Sequence, residues 1–147
     1  DLNDEDEYQA ARYGHGASAH YGVALFIDQQ GNDRYGSTGP YYNAGVAWDH
    51  GISLTIDAGT SHDVYAFDRT SGLGKADHSG WAVFVDEGGR DTYRVTSGLG
   101  EASERSLAGF IDLTGEDQYS LLSPLSHFRP TNSFFFSHGP GSLFQDQ

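Results

Sequence analysis

Aspartates recur in pairs along this sequence, and they are the first candidates for chemistry. The two members of a pair are five or six positions apart, across a glycine-containing turn. Such a turn can bring carboxylates and backbone carbonyls together, and Ca²⁺ prefers six to eight oxygen ligands. The spacing therefore predicts Ca²⁺ sites with these metal ligands: Asp28 and Asp33, Asp57 and Asp63, Asp86 and Asp91, Asp112 and Asp117. The alternative is that each carboxylate accepts hydrogen bonds from the N–H groups of its own turn.

A second set of candidates mixes imidazoles with carboxylates at equivalent positions of the sequence: His20, Asp49, His78 and Glu104. Such side chains bind Zn²⁺ and other divalent ions, and an acid paired with a histidine can act in general acid–base catalysis. The alternative is charge pairing between neighbouring strands on an exposed surface, which contributes about 0.2–1 kcal/mol per pair. The sequence contains no nucleophile-elbow, zinc-protease, P-loop or dinucleotide-binding motif. We therefore expect a non-catalytic protein, with a polysaccharide lyase or hydrolase using these four residues as the alternative.

Both sets belong to one repeat. The first aspartates of the pairs are Asp1, Asp28, Asp57, Asp86 and Asp112, at steps of 27, 29, 29 and 26 residues. The repeat reads G-x5-[G/S]-x5-D-x(4,5)-D-x-Y and includes one run rich in β-branched and aromatic residues, which is typical of a strand. A unit of about 27 residues is too short for a propeller blade, which needs about 40. The repeat therefore predicts an all-β parallel β-solenoid of four to five coils.

The predicted strands have two different faces. One face is aliphatic apart from a tryptophan and a glycine, and we expect it to form the core: Val23, Leu25, Ile27, Ile52, Leu54, Ile56, Trp81, Val83, Val85, Leu107, Gly109 and Ile111. The other face alternates small residues with mostly phenylalanine, and we expect another layer or subunit to cover part of it.

Composition excludes several classes of partner. The chain has 147 residues and a formal charge of −13, which would repel nucleic acid and anionic lipid. It contains no cysteine, so disulfides and thiolate metal sites are excluded. No apolar run approaches the roughly 20 residues of a transmembrane helix. Cations, neutral sugars and proteins remain as partners.

The turns resemble those of bacterial envelope and secreted proteins with G-N-D-x-Y repeats, through residues 31–35, 88–93 and 115–119. This resemblance implies a right-handed parallel β-helix and an extracellular, periplasmic or cell-surface location, and it implies no activity. The same turns half-match the calcium-binding nonapeptide of RTX repeats. Here the motif occurs once per coil of about 27 residues, whereas RTX repeats carry it every nine.

The predicted organisation is a solenoid over residues 1–120 and an irregular cap over residues 121–147. The chain begins inside a repeat at Asp1, which predicts an open N-terminal coil that pairs with another chain or with upstream residues. We expect an acidic scaffold or accessory subunit, stabilised by Ca²⁺, that binds a protein partner or assembles with itself. Binding or degradation of carbohydrate is the alternative.

Overall fold

The structure, a computed structural model, describes residues 2–122, 135–136 and 141–147. These residues form strands and turns, and none of them belongs to a helix that could cross a membrane. The strands stack as a parallel β-solenoid of about four turns with a spacing of about 29 residues. The predicted all-β parallel solenoid is therefore confirmed.

The strands form three sheets that run along the solenoid. Sheet A contains β1 (Glu7–Ala10), β4 (Arg34–Ser37), β7 (Val64–Gly72), β10 (Thr92–Gly98) and β12 (Gln118–Leu121). Sheet B contains β2 (Ser18–Ala19), β5 (Val46–Trp48) and β8 (Lys75–Asp77). Sheet C contains β3 (Val23–Asp28), β6 (Ile52–Asp57), β9 (Trp81–Asp86), β11 (Leu107–Asp112), β14 (Ser142–Asp146) and β13 (Phe135–Phe136).

Sheet C extends into the C-terminal segment that the sequence predicts as a cap. Strand β14 pairs in parallel with β11, so that Phe144 and Asp146 lie beside Phe110 and Asp112. Residues 142–146 therefore repeat the strand of the solenoid. Strand β13 then pairs with β14 in the antiparallel direction. The rest of the predicted cap, residues 123–134 and 137–140, lies outside the described residues.

The predicted core face of sheet C is wrong, because the aliphatic face points outward. Val23 is 76% exposed, Leu25 62%, Trp81 60% and Leu107 51%. The face that points inward carries the small and phenylalanine residues together with the aspartate that ends each strand. Phe84, Phe110, Ala82 and Ala108 are at most 1% exposed.

The interior is narrow, and the sizes of the side chains that fill it match its width in two regions. Where sheets B and C approach, the described core residues are small, among them Ala47, Ala76, Ala82 and Ala108, with Ala102 packed beside them. Where the interior is wider, phenylalanine rings stack along the axis, with centroids 5.4 Å apart between Phe84 and Phe110 and 5.1 Å apart between Phe110 and Phe144. A branched aliphatic residue in the alanine column would not fit, so the small residues of the repeat must lie inside.

One corner depends on glycine. Gly74 has a φ of +71°, and a Cβ there would lie 2.1 Å from the carbonyl oxygen of Gly109 in the neighbouring coil. Only glycine permits this close approach of two coils.

Two aromatic residues of β9 test this assignment of inside and outside. Phe84→Ala should lower the free energy of unfolding by about 3–5 kcal/mol, because it leaves a cavity in the stacked core. Trp81→Ala should change it by less than about 1 kcal/mol, because Trp81 is largely exposed. Urea unfolding followed by circular dichroism measures both values. A larger loss for Trp81→Ala would mean that sheet C faces the other way.

Candidate functional site

A column of alternating aspartate carboxyls and tyrosine hydroxyls runs along the interior. We call it the Asp–Tyr column, and its members are Asp28, Asp57, Asp86, Asp112 and Asp146 of sheet C with Tyr35, Tyr65, Tyr93 and Tyr119 of sheet A. Each tyrosine hydroxyl lies between two carboxyls. That of Tyr65, for example, is 2.5 Å from Oδ2 of Asp57 and 2.9 Å from Oδ2 of Asp86. These aspartates are buried, at most 5% exposed.

Strand pairing produces this geometry. Tyrosine rings of successive coils stack nearly parallel, with centroids 4.7 Å apart for Tyr35 and Tyr65 and 4.9 Å apart for Tyr65 and Tyr93. That distance matches the spacing of paired β-strands. The aspartates have the same spacing because they are paired in sheet C. The first aspartate and the final tyrosine of the repeat, seven or eight residues apart, are therefore the sequence signal of a column that the sequence analysis missed.

Counting hydrogens shows that the column can accommodate extra protons. Its four tyrosine hydroxyls make eight contacts of 2.5–2.9 Å with carboxyl oxygens. A hydroxyl carries one hydrogen, and an ionised carboxylate carries none. The tyrosines can therefore supply hydrogens for four of these contacts at a time, and a protonated carboxyl can supply the hydrogen of another.

Electrostatics favour the same protonation. Burial raises the pKa of Asp57 to about 6. It also raises that of Asp86, with a further contribution from the charges of Asp91, Asp57 and Asp112. Burial and the nearby charge of Asp117 raise the pKa of Asp112 to about 7. Tyr65 and Tyr93 are buried too, and this raises their pKa values, so both keep their protons.

The second aspartates of the pairs form another column, at the turn between sheets C and A. Each accepts a hydrogen bond from the backbone N–H of the equivalent aspartate, one coil earlier. The N–H of Asp33 donates to Oδ1 of Asp63 at 2.6 Å, and that of Asp63 donates to Oδ1 of Asp91 at 2.7 Å. Burial raises the pKa values of Asp63 and Asp91 to about 8.

The alternative interpretation, hydrogen bonds within each aspartate's own turn, is met only in part, because the second aspartates accept hydrogen bonds from a neighbouring coil. Own-turn hydrogen bonds also occur, since the N–H of Gln29 donates to Asp28 and that of Gly88 donates to Asp86. The eight predicted metal ligands therefore have structural partners without any ion.

Three of these predicted ligands could hold a cation. Carboxylate oxygens of Asp91, Asp112 and Asp117 lie within 4.8 Å of one another, close to the end of the described solenoid. Among the described residues, no donor reaches Oδ2 of Asp91 or Oδ1 of Asp112, and both atoms are buried. A proton shared within the cluster, or a cation, would satisfy these oxygens.

The histidine and acid candidates occupy a different corner, between sheets B and C. There each coil makes a tight turn whose two central residues have positive φ, and an N–H···O=C bond closes it, as in a type I′ turn. The central pairs are His20–Tyr21, Asp49–His50, His78–Ser79 and Glu104–Arg105. None is glycine, although this conformation costs other residues about 1–2 kcal/mol each. All four predicted residues therefore lie side by side at an exposed corner.

Their side chains are hydrogen-bonded to one another. Nδ1 of His20 lies 2.7 Å from Oδ2 of Asp49. The indole N–H of Trp48 donates to Nδ1 of His78 at 3.0 Å, which places the proton of a neutral imidazole on Nε2, 3.1 Å from Glu104. Asp77, His78 and Glu104 could together hold a metal ion, but binding through Nε2 would require His78 to give up its hydrogen bond from Trp48. The geometry fits the alternative of pairing between coils.

Two open clefts lie near the candidate residues. The larger, of about 560 Å³, is lined by Gln30, Gly31, Asn32, Gly59, Thr60 and Ser61 at the aspartate turns. The smaller, of about 220 Å³, is lined by His50, Gly51, Ile52, Ser79 and Trp81. Neither is lined by the paired aspartates or by the four predicted catalytic residues.

The buried carboxyls predict a stability that falls as pH rises. The folded-state pKa values of Asp57, Asp63, Asp91 and Asp112 are about 6, 8, 8 and 7, above the ordinary value of 3.8. Between about pH 4 and about pH 8 the folded state therefore binds more protons than the unfolded chain, and the free energy of unfolding decreases through this window. Buried His15, with a lowered pKa, acts in the opposite direction below 6.5 but is a single group.

Thermal unfolding at a series of pH values measures this effect, and the unfolding temperature should fall from about pH 5 to about pH 8. Asp86→Asn keeps the shape of the side chain and removes one titrating group, so its pH dependence should be flatter. A stability that rises over the same window would contradict the protonated column.

The Ca²⁺ sites stay a prediction, which metal titration tests at two pH values. Because protons and a metal ion compete for carboxylates, any stabilisation by Ca²⁺ should be larger at about pH 8.5 than at about pH 5.5. Unfolding temperatures are measured after EDTA treatment and again with Ca²⁺, Mg²⁺ or Zn²⁺ added. If no ion raises the unfolding temperature at either pH, the predicted metal sites do not exist.

Comparison with known proteins does not assign the chain to a family. No protein family, no curated protein and no solved structure matches the chain. The resemblance to the G-N-D-x-Y repeat proteins therefore stays a prediction, and the function has to be inferred from the residues themselves.

Proposed function

We propose that the chain is a non-catalytic interaction subunit that binds a protein partner through the outer face of sheet C. This face comprises the outward residues of five strands: Val23, Leu25, Ile27, Ile52, Leu54, Ile56, Trp81, Val83, Val85, Leu107, Gly109, Ile111, Leu143 and Gln145. The proposed setting is the bacterial envelope or exterior, and the acidic composition, rich in glycine, serine and tyrosine, supports it.

The observation that carries this proposal is that the face is exposed, apolar and free of charge. The chain has a formal charge of −13, yet none of the fourteen residues of the face is charged. With strands about 4.8 Å apart and outward residues about 6.8 Å apart, the face measures about 24 Å by about 20 Å, or roughly 480 Å². The largest apolar patch on a typical monomer measures about 300–600 Å² and is often functional.

The interior makes this face rigid. Beneath each outward residue, the neighbouring positions of the strand are held by stacked phenylalanines and by the Asp–Tyr column. Because the strands are fixed before a partner arrives, little conformational entropy is lost when the face is covered.

The polysaccharide alternative has weaker support. Trp81 and Ile52 form the apolar part of the smaller cleft, which could accept a neutral sugar ring. The four residues that would do the chemistry lie outside this cleft, and they are bonded to one another or to Trp48.

The proposal is tested on the protein expressed in the cells that produce it. The quantity measured is the size of the complex that contains the protein. The double variant Leu25→Glu/Leu107→Glu places two charges on the face and should release the chain from its complex, because an unpaired charge is costly to bury. Leu122→Glu is the matched control, since Leu122 is 48% exposed but follows a strand of sheet A. Size-exclusion chromatography of cell extracts measures the effect. If the double variant elutes like the unmodified protein and also sediments like it at high concentration, the face is not the docking surface.

A further inference from the structure

We infer that the partner covering the outer face of sheet C is a second copy of this chain, packed face to face. This inference rests on the proposed function and adds the identity of the partner. Three properties of the face bear on it: its uncharged aliphatic surface, its pairing of a projection with a recess, and its area, which limits the strength of the contact.

The first property is that the face suits another copy of itself. Two β-sheets pack face to face about 10 Å apart when aliphatic side chains from both interdigitate. The outward columns of sheet C contain aliphatic residues in register across β3, β6 and β9, as in Ile27, Ile56 and Val85. A second copy offers the same uncharged surface, so no carboxylate has to lose its hydration in the contact.

The second property is that the face carries both a projection and a recess. Trp81 is its largest side chain and is 60% exposed. On the next strand, Gly109 leaves a gap, since a Cβ there would meet only Val83 side-chain atoms at 4.0 Å. The outward neighbours of Gly109 on the two adjacent strands are Val83 and Leu143, which border the gap.

A two-fold axis in the plane of the contact can bring Trp81 of each copy over Gly109 of the other. In such an isologous interface one patch supplies both the projection and the recess, so both contacts form together. Tryptophan in a recess near the centre of an interface is a common source of binding energy.

The third property is the area, which sets the strength. The face offers roughly 480 Å² per copy, whereas a standard interface buries about 800 Å² on each partner. The dimer is therefore weak. Its two copies also repel each other through their net negative charge, and salt screens that repulsion. Added salt should strengthen the association.

Sedimentation velocity of the purified chain, from micromolar to millimolar concentration at low and high salt, tests the inference. We expect a reversible dimer that is tighter at high salt. Leu107→Glu should weaken it at least about tenfold, which corresponds to about 1.4 kcal/mol, and Leu122→Glu should leave it unchanged. Circular dichroism and thermal unfolding establish that each variant is folded.

Gly109→Leu separates a specific contact from general stickiness. This substitution fills the recess and makes the face more apolar, and its Cβ would meet only Val83 side-chain atoms at 4.0 Å. If Trp81 enters the recess, Gly109→Leu weakens the dimer. A tighter dimer with Gly109→Leu, or a monomer at all concentrations and both salts, overturns the inference.

The two proposals fail in different ways. If the purified chain is a monomer but the double variant is released from its complex in cell extracts, the face binds a different protein and only the second-copy inference is lost. If the double variant changes neither measurement, the proposed function is lost as well.

Discussion

The hydrogen bond between a buried aspartate and a tyrosine hydroxyl, repeated in each coil, is the contact on which the rest of the structure depends. It joins sheet C to sheet A across the interior. Since Asp86 must point inward to reach Tyr65 and Tyr93, the residues two and four positions earlier, Phe84 and Ala82, point inward too. Val83, Val85 and Trp81 are thereby forced outward. The polar contact inside thus determines the apolar surface outside.

This dependence explains which part of the fold could be predicted from the sequence. The period, the parallel pairing and the positions of the first four sheet C strands follow from the spacing of glycines and aspartates, and the structure has them. The strands of sheets A and B were not predicted. The orientation of sheet C does not follow from hydrophobicity, because both faces of the sheet are apolar. The aliphatic face, which points outward, is the more apolar of the two. The missing signal was the face of the strand to which the aspartate belongs. Phe84 and Asp86 share one face, and the hydroxyl of Tyr93, seven residues after Asp86, contacts the Asp86 carboxyl.

The candidate sites show the same limit. Sequence spacing correctly brought His20, Asp49, His78 and Glu104 together, but it could not show that they occupy type I′ turns, where asparagine and glycine are usual. At the C-terminus, Phe144 and Asp146 repeat the strand pattern without the glycines and the D-x-Y that marked the other copies. A repeat that keeps only the inward residues of its strand can be recognised once the structure shows that these residues pack in the core.

The protons in the interior also affect the surface. Every aspartate that stays protonated in the folded state removes one negative charge from the formal −13, and burial raises the pKa values of Asp57, Asp86 and Asp112 in the Asp–Tyr column. Repulsion between two copies is therefore weaker than the sequence implies while the column is intact. When pH rises past the pKa of Asp63 and Asp91, about 8, the interior gains charge that burial opposes, and the repulsion between copies grows. Core stability and contact between outer faces are thus coupled through the same carboxyls, and both are favoured on the acidic side of neutrality.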